Sequence, residues 1–290
     1  MILVITGPTA LGKTKTAINI AKKINAEIIN GDAFQSYKEL NIGVAKPTSD
    51  ELVEVPHHLY SIIEPSHDYS IAEYQSVLRE KIKELQEKNK NIIIVGGSGL
   101  YIRSALFDYD FRPNIEVNME RFSNLTNEEL HAYLTEIDPE ESKKIHANNR
   151  KRVLRAIEIY LSNGKTKTDI INEQKHELLY DAKFFVRNID RDEMYNRINK
   201  RVDKMFQDGL VEEVKTLIRK YDLSAHCFQA IGYKEIIDAL QNKITLEEAK
   251  ELIKQHTRNY AKRQMTYIRH QFEVHYYQND DDILKEIDYE

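Results

Sequence analysis

Short apolar runs and helix-period stretches alternate over the first hundred residues. Ile2-Leu-Val-Ile-Thr6 is continuously apolar and β-branched, and a glycine-rich turn and a helix to about Lys23 follow it. Glu27-Ile-Ile-Asn30 reads as a second strand that ends in Gly31-Asp32. Between Glu73 and Lys88, Tyr74, Val77, Leu78, Ile82 and Leu85 recur at three- and four-residue spacing, the period of an amphipathic helix. Asn91-Ile-Ile-Ile-Val95 is apolar at every position after the first, as a strand covered on both faces must be. Strands that alternate with helices through short turns predict an α/β fold with a parallel sheet.

The pattern changes near Phe111-Arg-Pro-Asn114. From there to about Asp181 it is helical, with Asn124-Leu-Thr126 opening one helix and Asp138-Pro139 another. Helical character is strongest over Arg152–Leu161. A strand returns at Lys183-Phe-Phe-Val-Arg187, and long helices run on to about Arg269. The reading is a P-loop NTPase-like α/β core formed by 1–112 and 182–290, with a helical insertion at 113–181. Asn279-Asp-Asp-Asp282 reads as a solvated acidic end.

Composition narrows the classes. At 290 residues and 41% hydrophobic, the chain can bury a substantial core. No apolar run approaches the roughly 18 residues of a membrane helix, and Met1 has no basic flank or cleavage site of the kind a signal peptide carries. The single cysteine, Cys227, excludes an internal disulfide and a cysteine-rich zinc site and reads as a buried filler. The ten histidines show no metal spacing, and His57-His58 read as structural. A cytoplasmic protein with no membrane partner is expected, as a monomer. A net charge of −5 gives no general attraction to nucleic acid, so any RNA-binding face must be local.

The chemistry begins at Gly7-Pro8-Thr9-Ala10-Leu11-Gly12-Lys13-Thr14, which fits G-x-x-x-x-G-K-[ST] between a strand and a helix. The glycines let successive N–H groups turn inward around an anion. The helix start aims its dipole at phosphate, Lys13 adds a cation, and the Thr14 hydroxyl is placed to ligate Mg²⁺. This points to a diphosphate or triphosphate. The central strand ends in Gly96-Gly97-Ser98-Gly99, without the metal-holding aspartate usual in nucleotide hydrolases. Asp32 lies just past the second strand, on the same carboxyl rim as the loop. It is either a general base or a turn-capping aspartate, and the sequence weighs the two equally.

Several segments, in order, resemble the bacterial tRNA dimethylallyltransferases. They are Gly7–Thr14; Asn30-Gly-Asp32 with Tyr37 and Asn41-Ile-Gly-Val-Ala-Lys-Pro47; Pro56-His-His58-Leu; and Val95-Gly-Gly-Ser-Gly-Leu-Tyr101. The series continues with Asn148–Glu158, then Arg197 to Val214, Gln229–Glu235 and Thr257–Gln264, so the likeness spans nearly the whole chain. Departures are Ala33 where serine is common, Ser98 for threonine, and Asn118 where some members place an RNA-contacting arginine. The zinc-finger extension of eukaryotic members is missing.

The resemblance implies transfer of the dimethylallyl group of dimethylallyl diphosphate to N6 of the adenosine 3′ to the anticodon of a tRNA. Asp32 would take the N6 proton. The loop from Gly7 to Thr14, with Mg²⁺ at Thr14, would hold the diphosphate, clamped by Arg201 and by Arg197 one helical turn earlier. Asp32, Ala33, Phe34, Gln35 and Ser98 would line the adenosine side, with Phe34 as a stacking platform for a base. Lys151, Arg152 and Arg155 match the family's RNA-contacting stretch and lie among six lysines and arginines between 143 and 155. A second basic cluster joins Arg258, Lys262, Arg263 and Arg269 to Tyr260 and Tyr267. Two other readings share the loop. One is a P-loop small-molecule or nucleotide kinase; the other is a noncatalytic, nucleotide-sensing RNA-binding switch.

Overall fold

The computed structural model describes residues 1–111 and 117–287. The elements, in chain order, are β1 (Ile2–Thr6), α1 (Lys13–Ile24), β2 (Ala26–Asn30), α2 (Ser49–Glu54), β3 (His57–His58), α3 (Ile71–Glu87), β4 (Asn91–Gly96) and α4 (Gly99–Leu106). Next come α5 (Asn127–Ile137), α6 (Pro139–Lys144), α7 (Arg150–Asn163) and α8 (Lys167–Glu173). The chain closes with β5 (Ala182–Arg187), α9 (Arg191–Gln207), α10 (Leu210–Lys220), α11 (Tyr233–Leu240), α12 (Leu246–Gln271), β6 (Val274–Tyr277) and α13 (Asp280–Glu286).

Six strands form one sheet in the order β3-β2-β4-β1-β5-β6, and every neighbouring pair is parallel. Alternation along each strand divides the apolar side chains between two layers. Ile2, Val4, Ile92, Ile94, Phe184 and Val186 enter the core beneath α3, α4 and the C-terminal helices. Leu3, Ile5, Ile93, Val95 and Phe185 enter the core with α1 and α13. This two-sided burial explains why the strands read as continuous apolar runs. The chain has the expected P-loop-like α/β architecture.

Several helices start where their side chains dictate. Ser70 and Glu73 form a reciprocal capping box on α3, as Thr126 and Glu129 do on α5 and Thr245 and Glu248 on α12. Asp138 caps α6 ahead of Pro139, as the sequence predicts.

The sequence pattern leaves α2, α4 and β6 unread, and two further elements escape it for plain reasons. β3 has only two residues and so no period to detect. Asn279 to Asp282 is not a loose acidic end: Asn279 caps α13, its acids complement the helix dipole, and Ile283 and Leu284 are buried. The acids also meet α1, with Asn19 donating to Asp280 at 2.7 Å.

The chain divides into two units, Met1–Phe107 with Leu178–Glu290, and Asp108–Glu177. The boundary placed at 113 from sequence lies outside the described residues. The second unit has its own core, in which Phe122, Leu130, Leu134, Ile145, Val153 and Ile157 are buried. Among the described residues no helix is long and apolar enough to cross a membrane.

Candidate active site

Strand register assembles the site. Thr6 at the end of β1 pairs with Gly96 at the end of β4, and Val95 pairs with Asn30 at the end of β2. The segments that follow these three strands therefore leave side by side: the 7–14 loop, the 31–36 turn and the 97–99 turn. Gly31 and Gly96 cross so closely that a Cβ on Gly96 would lie 2.0 Å from the Gly31 carbonyl carbon.

The phosphate loop uses left-handed backbone at Gly7 (φ 130°), Ala10 (φ 67°) and Gly12 (φ 75°), and Gly12 opens α1. The Lys13 ammonium folds back on the loop, donating to the Gly7 carbonyl at 2.9 Å and the Pro8 carbonyl at 2.7 Å. Gln264, from the middle of α12, joins two segments. It accepts from Thr9 N at 3.3 Å and donates to the Gly97 carbonyl at 2.8 Å. Gln264 is buried, and a Cβ on Gly97 would sit 2.2 Å from its amide nitrogen. The sequence contained this residue in a motif but gave it no role, because its partners lie 255 and 167 positions away.

Asn30 shapes the neighbouring turn. Fully buried, it donates to the Asp32 carbonyl, Ser36 Oγ and the Leu59 carbonyl, and accepts from Asp32 N at 2.8 Å. Asp32 Oδ1 accepts from Phe34 N at 3.1 Å, so this carboxylate does cap its turn. It also lines a cavity of about 370 Å³ together with Thr9 to Thr14, Phe34, Gln35 and Arg201. The two roles held apart at the sequence level are compatible: one oxygen fixes the orientation, and the carboxyl group faces the cavity.

Electrostatics couples three of these groups. Burial, reinforced by the Arg201 charge and opposed by Asp32, pulls Lys13 down to about 7. Burial raises Asp32 above the ordinary carboxylate value, against the pull of Lys13, the Phe34 N–H and Arg201. Burial also lowers Arg201, which Asp32 partly offsets. A cavity lined by three basic side chains, Lys13, Arg201 and Arg263, and one carboxylate suits an anionic ligand, with the carboxylate available to take a proton.

A second cavity, of about 390 Å³, shares Phe34, Gly97, Tyr260, Arg263 and Gln264 with the first. Its walls are aromatic: Phe34 stacks on His226 with centroids 5.8 Å apart and planes 14° apart, and Tyr37, Tyr69, Tyr101 and Tyr267 surround them. Ala33 and Ser98 meet here, with Ala33 N donating to Ser98 Oγ at 3.1 Å. The Tyr69 hydroxyl is buried without a hydrogen-bond partner.

Not every expected residue reaches the site. Arg197 does not join Arg201. Its guanidinium turns back along α9 onto Glu193, at 2.6 Å, an i,i+4 ion pair, and lies outside the cavity wall. Asn118 lies in the second unit, where its side chain accepts from Glu120 N at 2.8 Å at the start of a single 3₁₀ turn. Lys151, Arg152 and Arg155 are exposed on α7 of that unit, and Arg155 pairs with Glu158 at 2.7 Å. Arg150 is structural: it donates to the carbonyls of Phe122, Ser123 and Leu125. In the other basic cluster, Arg258 is held by Asn199, whereas Arg263 reaches both cavities.

The chain is similar to known proteins along nearly its whole length. A family profile described as IPP transferase matches residues 35–271. The chain is 44% identical to the tRNA dimethylallyltransferase of Anoxybacillus flavithermus, over 98% of this chain and 92% of the relative. It is 46% identical to the Bacillus subtilis protein of the same name, over 94% and 89%. Among solved structures, the tRNA delta(2)-isopentenylpyrophosphate transferase of Staphylococcus epidermidis superposes with a TM-score of 0.72 at 39% identity, covering 99% of this chain and 97% of that one. A eukaryotic dimethylallyltransferase acting on tRNA gives 0.82 at 28% identity, covering 98% and 75%.

Proposed function

Because the chain belongs to the IPP transferase family, we propose that it transfers the dimethylallyl group of dimethylallyl diphosphate to N6 of the adenosine 3′ to a tRNA anticodon. The observation that carries the reading is one cavity in which Asp32, Lys13 and Arg201 share an electrostatic field beside the phosphate loop. In the reaction N6 attacks the allylic C1. The N–C bond forms as the C1–O bond breaks, diphosphate leaves with the electron pair, and the N6 proton passes to the Asp32 carboxylate. A carboxylate raised by burial is the better base for that proton, and a positioned base contributes ~10²–10⁴-fold.

Charge grows on the diphosphate as C1–O breaks. The loop amides at the start of α1, the Lys13 ammonium and the Arg201 guanidinium, all on the cavity wall, would stabilise it. Mg²⁺ at Thr14 belongs to the same proposal. Among the described residues no three His, Cys, Asp or Glu side chains cluster as a cage. One hydroxyl, from Thr14 on the cavity wall, is nonetheless the kind of protein ligand this ion takes beside phosphate oxygens and water. When bound there, magnesium neutralises part of the diphosphate charge.

The target base must leave its stack to reach Asp32. The aromatic cavity offers it a path, with Phe34 and His226 as a stacking surface. Exposed Lys151, Arg152 and Arg155 are proposed to hold RNA phosphates. Action in the cytoplasm, as a monomer, belongs to the same proposal. A kinase is disfavoured by the glycines that end β4 and by the named activities of the relatives.

The test is transfer of labelled prenyl from dimethylallyl diphosphate to unmodified tRNA, run beside an ADP-release assay with ATP. Label in tRNA without ATP, lost in Asp32→Ala, is expected. No label, with ADP released as the γ-phosphoryl group passes from ATP to a small acceptor, would restore the kinase reading.

A further inference from the structure

One wall of the active cavity is a segment of turns, and a carboxylate distant in sequence holds it on one side. Gly43, Val44 and Ala45 line the cavity together with Val202 and Met205 of α9 and Ile253 of α12. Its turns satisfy the N–H groups of Ala45 and Lys46 from within, through the Ile42 and Asn41 carbonyls. The N–H groups of residues 41–43 are taken by Glu213, in the first turn of α10. Its Oε2 accepts from Asn41 N at 3.0 Å and Ile42 N at 2.8 Å, and its Oε1 accepts from Gly43 N at 3.1 Å.

The carboxylate is itself fixed. The hydroxyl of fully buried Tyr233 donates to Glu213 Oε1 at 2.6 Å. The Tyr233 ring lies flush against the segment, and a Cβ on Gly43 would stand 2.4 Å from it. On the other side the Gln35 amide donates to the Val44 and Ala45 carbonyls at 3.0 and 3.2 Å, and Ala45 is held at φ 46°. N–H groups are thus gripped from one direction and carbonyls from the other, so the wall cannot retreat while both grips hold.

Resting on the prenyl-transfer reading, we infer that Glu213 is a positioning residue that sets the width of the prenyl site. It touches no reacting atom. By holding Gly43–Ala45 against the apolar side chains of α9 and α12, it fits the cavity to a five-carbon branched chain. Releasing it lets the wall move outward, so longer allylic diphosphates fit better while the phosphate loop and Asp32 stay in place.

The experiment compares the full chain with Glu213→Gln, whose amide keeps the shape but cannot accept from all four donors, and with Tyr233→Phe, which removes one donor. Steady-state rates are measured with dimethylallyl and with geranyl diphosphate at saturating tRNA, and KM for tRNA separately. In Glu213→Gln, KM for dimethylallyl diphosphate should rise roughly tenfold, as expected for charged hydrogen bonds lost. The preference for dimethylallyl over geranyl should fall, with tRNA KM unchanged. Tyr233→Phe should shift the same ratio less. Glu213→Gln with unaltered donor KM and preference overturns the inference, as does an equal loss with both donors. If Glu213→Gln does not fold, the ratio in Tyr233→Phe decides. A wild-type chain that prenylates no tRNA would instead sink the functional reading itself.

Discussion

Lys13 is the group whose protonation the ligand should change most. In the free cavity its ammonium rests on two loop carbonyls, and burial, then the Arg201 charge, hold it near 7 rather than 10.5. A diphosphate brings negative charge against it and should return it towards its ordinary value. Between pH 7 and 10.5, binding must then take up a proton. A group titrating at 7 carries roughly one-tenth of a proton at pH 8, so uptake at Lys13 approaches ~0.9 per diphosphate there and ~0.1 at pH 6. Affinity for diphosphate should accordingly fall about tenfold for each pH unit above 7. The assay is calorimetry of dimethylallyl diphosphate binding without tRNA, in buffers of different ionisation enthalpy. The ligand exchanges protons of its own, so Lys13→Arg, which stays charged, is titrated in parallel. The difference between the two proteins reports Lys13 alone. No difference at pH 8 would refute the argument that burial, and not salt or ligand chemistry, governs this lysine. For folding the sign is opposite. The cost of a charged Lys13 is fully present below pH 7 and fades as pH rises towards 10.5, because the unfolded chain binds the extra proton in that window.

Three further outcomes are expected. Asp32→Asn keeps the Phe34 cap through its carbonyl oxygen but cannot accept the N6 proton, so kcat should fall ~10²–10⁴-fold; tRNA affinity in a gel-shift assay should hold, and its loss would count against the base role. Reversing charge at Arg152 and Arg155 should weaken tRNA binding and flatten the log–log salt dependence by about one to two units; an unchanged slope removes α7 from the RNA face. Gly96→Ala drives a methyl into the Gly31 backbone and should cost about 1–3 kcal/mol in denaturant unfolding; an unaltered midpoint would mean the β2–β4 crossing can open freely.

Much of this was legible before any coordinates. Wherever an element is long and buried, its period announces it. β1, β4 and β5 sit in the sheet interior, and α3 buries Tyr74, Leu78, Ile82 and Leu85 at the spacing the sequence displays. The phosphate loop was legible because a local stretch of eight residues, directly after the strand end, contains the glycines, the lysine and the helix start together. The two-residue β3 and the capped α13 were not, since one is too short for a period and the other shows its acids before its two buried residues.

The sequence by itself determined the fold class, the phosphate loop, Asp32 and, through motifs in order, the family. These are local or order-preserving features, and the chain's own adjacency carries them. Tertiary structure decided which polar side chains converge. Gln264 ties the loop to the 97–99 turn, Glu213 holds the wall 41–45, Arg201 faces the cavity, and Arg197, four residues earlier, is taken by Glu193. Helical spacing placed both arginines on one face, but a long side chain goes to whichever partner lies in reach. Those partners are set by packing between elements far apart in the chain, which no periodicity records.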